Sequence, residues 1–340
     1  MGRAAQGMGQ MLGSRISMSA ALPKIPFFLP MDSCPRRCVY CHQGEITGIS
    51  EVPSPDAVQQ TLSRLQAPHE VCYFGGSFTC FPEERRRAYM EAVFAAPERS
   101  CVRFSTHPHC LSPGILDSLA SYPVSMIELG ISSLDDDVLN ACNRGYTGEF
   151  AIAAMRLILE RGFSLGAQLM IGLPGQRRAD LARDIELFRE LDLDMIGVGP
   201  FVPDPQTPLG QGGLRAELGD DQVANDATTT YTVIALARLA CPRANIPSTT
   251  ALATREGADG QMLALSCGAN VIMPNVTPAR YRTQYEIYPQ KACYYDDSQA
   301  AATSLRKRIA ALGRTVGIGR GDSPNVQRRD PEKHETVGRK

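Results

Sequence analysis

The sequence lacks an excess of charge of either sign. Its 340 residues include 35 Lys or Arg and 36 Asp or Glu, which gives a formal net charge of −1 at pH 7. The total charge therefore offers nothing to attract a polyanion such as nucleic acid, and such a partner would need a local basic patch. One short basic run, Arg85 to Arg87, is more typical of an exposed helix face than of a binding surface.

The sequence also lacks the long apolar runs that secretion signals and membrane spans require. Its first twenty residues contain no apolar stretch of the roughly 7–15 residues found in signal peptides, and no run is long enough to cross a bilayer. The 11 cysteines are spread thinly along the chain, which argues against a disulfide scaffold and for a reducing compartment. The sequence therefore predicts a cytoplasmic protein without contact to a membrane.

A fourth cysteine is missing from the dense cysteine cluster near the start of the chain. "DSCPRRCVYC", residues 32–41, spaces Cys34, Cys38 and Cys41 as C-x3-C-x2-C. Three ordinary free cysteines in so short a stretch would be an improbable coincidence. A structural zinc site needs four ligands, and His42 is poorly placed to be the fourth because it adjoins Cys41. The remaining interpretation is an iron–sulfur cluster whose open iron takes an exogenous ligand, since a cubane cluster usually binds four thiolates.

Eight short apolar runs alternate with amphipathic stretches along the chain. The runs, which we predict to be buried strands, are residues 25–30, 70–76, 101–106, 125–131, 165–174, 194–200, 244–250 and 269–274. Continuous apolar strands that alternate with helices are typical of a parallel sheet with both faces covered. The sequence therefore predicts an α/β fold, a (βα)8 TIM-type barrel, with a partial (βα)6 barrel as the alternative.

The chain divides into three segments, and we expect only the middle one to form the folded barrel. Residues 1–22 are rich in Gly, Ser and Met without a period, and we expect a flexible N-terminal lead. Residues 23–322 would form the barrel, in which 23–176 carry the cysteine cluster and 177–322 shape a substrate cavity. Residues 323–340 are polar and charged, and we expect a disordered tail. The cysteine cluster directly follows the first predicted strand, which in a barrel is the face where ligands bind.

The cysteine spacing, with Tyr40 before the last cysteine, resembles the radical S-adenosylmethionine (SAM) superfamily. The resemblance implies that Cys34, Cys38 and Cys41 bind one 4Fe–4S cluster and that the amino and carboxylate groups of SAM chelate the open iron. It also implies an enzyme whose reduced cluster cleaves SAM to methionine and a 5′-deoxyadenosyl radical. The electron would come from a reducing partner such as flavodoxin or ferredoxin.

Further residues at the predicted strand ends fit a SAM site under this resemblance. "YFGGSF" resembles the Gly-Gly-Glu-type motif that holds the methionyl ammonium, and Arg144 in "NRGYT" suits the methionyl carboxylate. Gln168 in "QLMIGLPGQ" would reach the ribose, and the turn at Leu173 would lie near the adenine. The full set of implied cofactor-binding residues is Tyr40, Gly75, Gly76, Ser77, Ser105, Glu128, Arg144, Gln168 and Leu173.

Residues 24–176 are similar to the radical SAM domain of the elongator catalytic subunit family. The similarity lies in "FFLPMDSCPRRCVYCHQGEITG", "YFGGSFT" and "IELGISS". Tyr146 and Ser132 depart from that family's patterns, which read more like "RGHT" and "GVQS". An enzyme of this kind would modify the wobble uridine of tRNA. It would also carry an acetyltransferase domain after the barrel, and the residues after 322 are too few for one.

Residues 177–322 resemble instead the E-type radical SAM maturase of FeFe hydrogenase, through "NIPSTTALAT" and "CGANVIMPNVTPARYRTQYEIYPQKAC". The resemblance implies a small-molecule substrate, a cysteine-bound iron carbonyl–cyanide complex, and other maturation proteins as further candidate partners. The implied substrate-contacting residues are Thr249, Thr250, Met273, Asn275, Tyr285 and Tyr288.

Three functions therefore compete, and we favour the small-molecule one because the second half of a barrel shapes its cavity. The tRNA alternative would need a basic face that the sequence does not display. A non-enzymatic iron–sulfur scaffold or electron carrier is the third alternative. We disfavour it because it would need no SAM pocket and normally uses four cysteines.

Overall fold

The computed structural model describes residues 22–29, 34–41, 52–212, 221–273 and 299–329. Within them lie eight strands at the positions of the eight predicted runs, so the predicted α/β fold is confirmed. The strands are β1 (Lys24–Phe28), β2 (Glu70–Phe74), β3 (Cys101–Thr106), β4 (Val124–Ser132), β5 (Leu165–Ile171), β6 (Met195–Pro200), β7 (Pro247–Ser248) and β8 (Val271–Ile272).

Helices follow the strands and pack against the sheet. None of those in the described ranges is long and apolar enough to cross a membrane. The α-helices are α1 (Pro55–Leu62), α2 (Glu83–Ala92), α3 (Pro113–Leu119), α4 (Asp136–Ala141), α5 (Gly148–Glu160), α6 (Arg178–Glu190), α7 (Ala227–Ala240), α8 (Thr250–Ser266), α9 (Gln299–Ala311) and α10 (Pro324–Arg329). Short 3-10 helices lie at Phe78–Cys80, Val93–Ala95 and Pro108–Cys110.

The sheet is an open, curled barrel. Each strand pairs in parallel with the next one along the chain, in the order β1-β2-β3-β4-β5-β6-β7-β8, and no pairing between β8 and β1 occurs among the described residues. β7 and β8 are short, and β7 meets β6 through the pair Val198 and Ser248. The strand number thus agrees with the (βα)8 prediction, while the six longer strands form the continuous wall, as in a partial barrel.

An aromatic core fixes the turn that follows β2. The strands of the wall are buried on both faces, as expected for a parallel sheet covered by helices. The Tyr73 ring stacks on Phe78 with centroids 5.2 Å apart, and Phe78 packs on Phe104 at 4.8 Å. Because Phe78 directly follows the Gly-Gly-Ser turn, its burial holds that turn against the ends of β2 and β3.

Buried charges form a chain across the inner face of the first strands. Arg103 Nε donates to Glu70 Oε1 at 3.1 Å, and its Nη1 donates to Glu128 Oε1 at 3.2 Å. Lys24 pairs with the other oxygen of Glu70. Gln168 Nε2 donates to Glu128 Oε2 at 2.8 Å. Each buried carboxylate therefore has a cation and a further hydrogen-bond donor or cation beside it, as burial of charge requires.

Glu70 and Glu128, the two carboxylates among these buried charges, differ in the direction of their pKa shifts. At Glu70, burial opposes ionisation, but Arg103 and Lys24 outweigh it and hold the pKa at about 2. At Glu128, burial dominates over Arg103 and Gln168 and raises the pKa above its ordinary value. Lys24 contributes to the difference, because it pairs with Glu70 and not with Glu128.

The predicted disordered tail begins too early. Residues 323–329 belong to the described fold: helix α10 starts at Pro324, and Ser323 and Asn325 are fully buried. The Asn325 side chain donates to the backbone oxygens of Asp192 and Leu193 at 3.1 and 2.9 Å. The segment contains few apolar residues. It is held to the barrel by this polar side chain, which satisfies two backbone carbonyl groups. Residues 1–21 of the predicted lead and 330–340 lie outside the described residues.

Candidate active site

The three cysteines of the C-x3-C-x2-C motif lie in a loop that follows β1 and is fastened to other loops of the barrel. Val39 N–H donates to Cys142 O at 3.3 Å, and Leu209 N–H donates to Val39 O at 2.9 Å. The Asn143 side chain donates to Arg37 O at 2.8 Å. The loop is therefore held by segments that follow β4 and β6, at the edge where barrel enzymes bind ligands.

Each thiol of the motif has a distinct setting. Cys34 Sγ lies 3.3 Å from Ser77 Oγ, and Cys38 Sγ accepts a hydrogen bond from Arg144 Nη1 at 3.3 Å. Burial, followed by the nearby Cys38 and Cys34 thiols, raises the pKa of the Cys41 thiol to about 12. Three thiolates so close together repel one another, and a bound cationic metal group is what deprotonates such thiols.

This donor set fits an iron–sulfur cluster with one open iron. Among the described residues, no three His, Cys, Asp or Glu side chains are grouped closely enough to hold a single metal ion. The zinc alternative depended on His42, which lies outside those residues. A cluster of several irons spans more widely spaced thiols than one ion does, and three thiols leave one iron for a small molecule.

The Gly-Gly-Ser turn after β2 lies beside the cysteine loop. Gly75 has φ +93°, a conformation that a side chain would strain. Ser105 Oγ, at the end of β3, donates to Gly76 O at 3.4 Å, while Ser77 contacts Cys34. The structure thus brings four predicted cofactor-binding residues, Gly75, Gly76, Ser77 and Ser105, next to the first thiol of the motif.

A disulfide joins the turns that follow β2 and β3. Cys80 and Cys110 are bonded, with their Cα atoms 4.9 Å apart. Cys80 ends the 3-10 helix after Ser77, and Cys110 ends the one after β3. The sequence argued against a disulfide scaffold, and one such bond within the described ranges does not form one. It ties together two segments that border the candidate site.

Arg144 is buried at the centre of the site, with 7% of its surface exposed. Its Nη2 donates to Gly130 O, and its Nε and Nη2 donate to Tyr146 Oη at 3.0 and 2.9 Å. Its Nη1 reaches Cys38 Sγ. The second hydrogen on Nη1 has no partner within the described part of the chain, which leaves one donor for a ligand beside the cluster.

Tyr40, which belongs to the cysteine loop, packs against the small apolar cluster that contains Leu173. Tyr40 Oη is 2.8 Å from Ser132 Oγ, and Ser132 adopts the left-handed conformation at φ +66° that ends β4. Leu173 is fully buried in a small cluster that also contains Phe201, against which the Tyr40 ring packs edge-on at 6.4 Å. The predicted departure at Ser132 therefore has a structural function, since its hydroxyl holds the tyrosine of the motif.

Glu128 and Gln168, both predicted to contact SAM, are hydrogen-bonded to each other on the inner face of the barrel. Glu128 is in addition an acceptor for Arg103. Both residues thus belong to the buried charge chain. Contact of either with a ligand stays a prediction.

Three of the six predicted substrate-contacting residues are among those that the structure describes. Thr249 caps α8 by accepting from Leu252 N–H at 3.3 Å, and Thr250 is the first residue of that helix. Met273 follows β8 and is 41% exposed, and its carbonyl accepts from Gln261 Nε2 at 3.2 Å. Asn275, Tyr285 and Tyr288 lie outside the described residues.

Two residues of the site were not among the predicted contacts. His107, directly after β3, is 5% exposed, and its Nδ1 accepts from His109 N–H at 3.3 Å. Burial, with the charges of Arg144 and Arg36 and the neighbouring His109, lowers the pKa of His107 to about 3. Tyr146 packs edge-on against the His107 ring at 5.0 Å. The position of "STHPHC" at a strand end was the sequence signal that could have identified His107.

Family comparison agrees with this geometry. The radical SAM superfamily model matches residues 28–200, which are more than half of the chain. This chain belongs to the radical SAM superfamily. The cofactors of this superfamily are a 4Fe–4S cluster and SAM, and the three thiols of the motif fit that cluster.

A curated relative is the FeFe hydrogenase maturase subunit HydE of Thermotoga maritima. It is 42% identical to this radical SAM chain over 158 residues, which are 46% of the chain and 42% of that protein. The chain thus spans less than half the length of this relative. The resemblance to the maturase family noted in the sequence is confirmed.

Solved structures share the fold. Methylornithine synthase (PylB) superposes with a TM-score of 0.60 at 16% identity, covering 87% of this chain and 84% of that one. Elp3 of the archaeon Methanocaldococcus infernus superposes with a TM-score of 0.51 at 17% identity, covering 74% and 63%. At such identities the likeness concerns the fold alone, and in that sense the elongator resemblance is also confirmed.

Proposed function

We propose that this radical SAM enzyme acts on a small substrate in the maturation of the FeFe hydrogenase cofactor. The observation that carries the proposal is the 42% identity with the maturase subunit HydE. A Cβ atom on Gly197 of β6 would lie 3.2 Å from the Gln168 side chain, and one on Gly199 would lie 3.1 Å from Thr249 Oγ1. The two glycines therefore let Gln168 and Thr249, both predicted ligand contacts, pack closely against β6.

In this proposal the chain holds both cofactors at the carboxyl ends of the strands. Cys34, Cys38 and Cys41 would bind three irons. When bound, the cluster supplies one electron that breaks the C5′–S bond of SAM. The carbonyl groups of the Gly-Gly-Ser turn would accept from the methionyl ammonium, and the remaining Nη1 hydrogen of Arg144 would donate to the methionyl carboxylate. The buried Leu173 turn would exclude water beside the adenine.

The electron would come from flavodoxin or ferredoxin, and the enzyme would work in the cytoplasm. Most of the described cysteines are free thiols, as in a reducing compartment, whereas the Cys80–Cys110 disulfide is of a kind that is rare there. Other maturation proteins are further candidate partners under this proposal.

Removal of the Arg144 guanidinium should weaken SAM binding. We expect Arg144→Ala to cost about 1.5–3 kcal/mol of SAM binding energy, the usual contribution of a hydrogen bond to a charged group. Calorimetry on the anaerobically reconstituted protein measures it. Arg189→Ala, which removes an exposed arginine paired with Glu186, is the matched control and should bind SAM normally. Equal affinity of Arg144→Ala and the wild type would show that Arg144 does not contact SAM.

The substrate class is tested by offering the reconstituted enzyme, SAM and dithionite two candidate substrates. We expect a cysteine-bound iron carbonyl–cyanide complex to stimulate formation of 5′-deoxyadenosine or its adduct, and Cys38→Ala protein to show none. If tRNA alone stimulates SAM cleavage and binds with a steep salt dependence, the elongator-like function is correct instead. A cluster-loaded protein that binds no SAM would indicate the scaffold or electron-carrier alternative.

A further inference from the structure

The Tyr146 hydroxyl takes part in a series of hydrogen bonds that runs through Arg144 to Cys38, a predicted cluster ligand. Its hydroxyl donates to Ile131 O at 2.8 Å and accepts from Arg144 Nε at 3.0 Å and Nη2 at 2.9 Å. A phenol has one hydrogen and two lone pairs, so these three bonds use its whole capacity. The hydroxyl therefore links the end of β4 to the guanidinium in a defined orientation.

Contacts on several edges fix the orientation of the Arg144 guanidinium. Its Nη2 also donates to Gly130 O, and its Cζ lies 5.2 Å from the centre of the Tyr146 ring. The ring itself is 6% exposed and is packed by His107. A planar, rigid guanidinium held on two edges can present its third nitrogen, Nη1, in one direction. That direction is Cys38 Sγ, 3.3 Å away.

A cation that donates to a ligand sulfur affects the redox chemistry of a cluster. Reduction adds one electron, so the reduced cluster is the more negative state and is stabilised more by a nearby positive charge. Hydrogen bonds to the sulfurs and burial are among the factors that set cluster potentials. The surroundings of Arg144 are buried, which weakens screening of its charge by water.

We propose that Tyr146 is a positioning residue whose hydroxyl holds the Arg144 guanidinium against Cys38 Sγ, and that this contact raises the reduction potential of the bound cluster. The inference rests on the cluster assignment of the proposed function and adds a role for two residues within it. In this chain Tyr146 stands where the elongator pattern has histidine, so the arrangement belongs to this sequence.

The experiment measures the midpoint potential of the reconstituted cluster without SAM, by poising the protein at known potentials and quantifying the reduced cluster by electron paramagnetic resonance. We expect Tyr146→Phe and Arg144→Met to shift the midpoint to more negative values. At the wild-type midpoint, the ratio of reduced to oxidised cluster should fall about tenfold, which equals about 59 mV for a one-electron couple. Arg144→Lys keeps the positive charge but not the planar set of guanidinium donors, and it should shift the midpoint potential less than Arg144→Met does.

Phe150→Leu is the matched control, because Phe150 packs on the Tyr146 ring at 6.4 Å without a hydrogen bond to Arg144. It should leave the midpoint unchanged. Unchanged midpoints in Tyr146→Phe and Arg144→Met, with full iron and sulfide content, would overturn the inference, even if thermal stability fell. If Tyr146→Phe fails to hold a cluster, the comparison of Arg144→Lys with Arg144→Met decides, and equal midpoints there overturn it. A wild-type protein that binds no cluster would instead contradict the proposed function.

Discussion

We expect Cys38→Ala to abolish cluster binding and, with it, all SAM cleavage. Cys38 is the most buried thiol of the motif, it accepts from Arg144, and its carbonyl accepts from Cys41 N–H at 3.0 Å. Its removal would leave two thiolates for a cubane that usually binds four. Anaerobic reconstitution should therefore yield protein without the broad visible absorption of a cluster, with iron and sulfide at background.

Cys267→Ala is the matched control for this loss. Cys267 is a half-buried free thiol at the end of α8, outside the motif. The control should take up iron and sulfide like the wild type. Full iron and sulfide in Cys38→Ala protein, with an unchanged absorption spectrum, would show that the three cysteines do not hold the cluster.

The buried charge chain should be the strongest single electrostatic support of the barrel wall. We expect Arg103→Met to destabilise the fold by about 3–5 kcal/mol, the usual cost of leaving buried charges without their partner. The Arg103 side chain is 10% exposed, and those of Glu70 and Glu128 are 2% and 6% exposed. Urea unfolding followed by circular dichroism under anaerobic conditions measures the change.

The destabilisation should depend on pH in a definite direction. In the wild type the pKa of Glu70 is held at about 2, so its stabilising ionisation is present above its ordinary pKa and is lost as pH falls towards 2. Without Arg103, burial raises the pKa of Glu128 further above its ordinary value, whereas Lys24 still pairs with Glu70. The variant should then gain stability as pH falls from 7 to about 5, because the folded state takes up protons that the unfolded state does not.

Arg161→Met is the control for this experiment. Arg161 pairs with Asp117 at 2.8 Å, but its side chain is 31% exposed and that of Asp117 is 61% exposed. Exposed pairs contribute about 0–1 kcal/mol, so the control should lose little stability. A loss below about 1 kcal/mol in Arg103→Met at pH 7 would contradict a stabilising role for the chain of charges.

The strands could be predicted because their signal is local. Six of the eight predicted runs match the longer strands, since a strand buried on both faces must be apolar throughout. The last two were predicted at 244–250 and 269–274 but are limited to Pro247–Ser248 and Val271–Ile272. Thr249 explains why the first of these ends at Ser248, because its hydroxyl caps α8 and the backbone leaves the sheet there.

Several residues that the sequence assigned to the site lie together in the structure, but their contacts with one another could not be predicted. Arg144 was predicted to meet SAM, and the sequence contained no sign that it contacts Cys38, which lies 106 residues away. Glu128 and Gln168 were predicted as separate ligand contacts, yet they bond to each other. The register of β4 on β5 decides this, since it places Glu128 opposite Gly166 and Gln168 opposite Gly130, so the two side chains are diagonal neighbours on one face of the sheet.

The cysteine motif by itself determined the cofactor class, because three thiols within eight residues of one loop can meet at a single cluster without help from distant parts of the chain. The apolar runs likewise determined the order of strands. Tertiary structure alone decided how Arg144 is oriented, which residue holds it, and that residues 323–329 belong to the fold. These features depend on the curvature of the sheet, which brings loops from β1, β3 and β4 together over distances that no local pattern encodes.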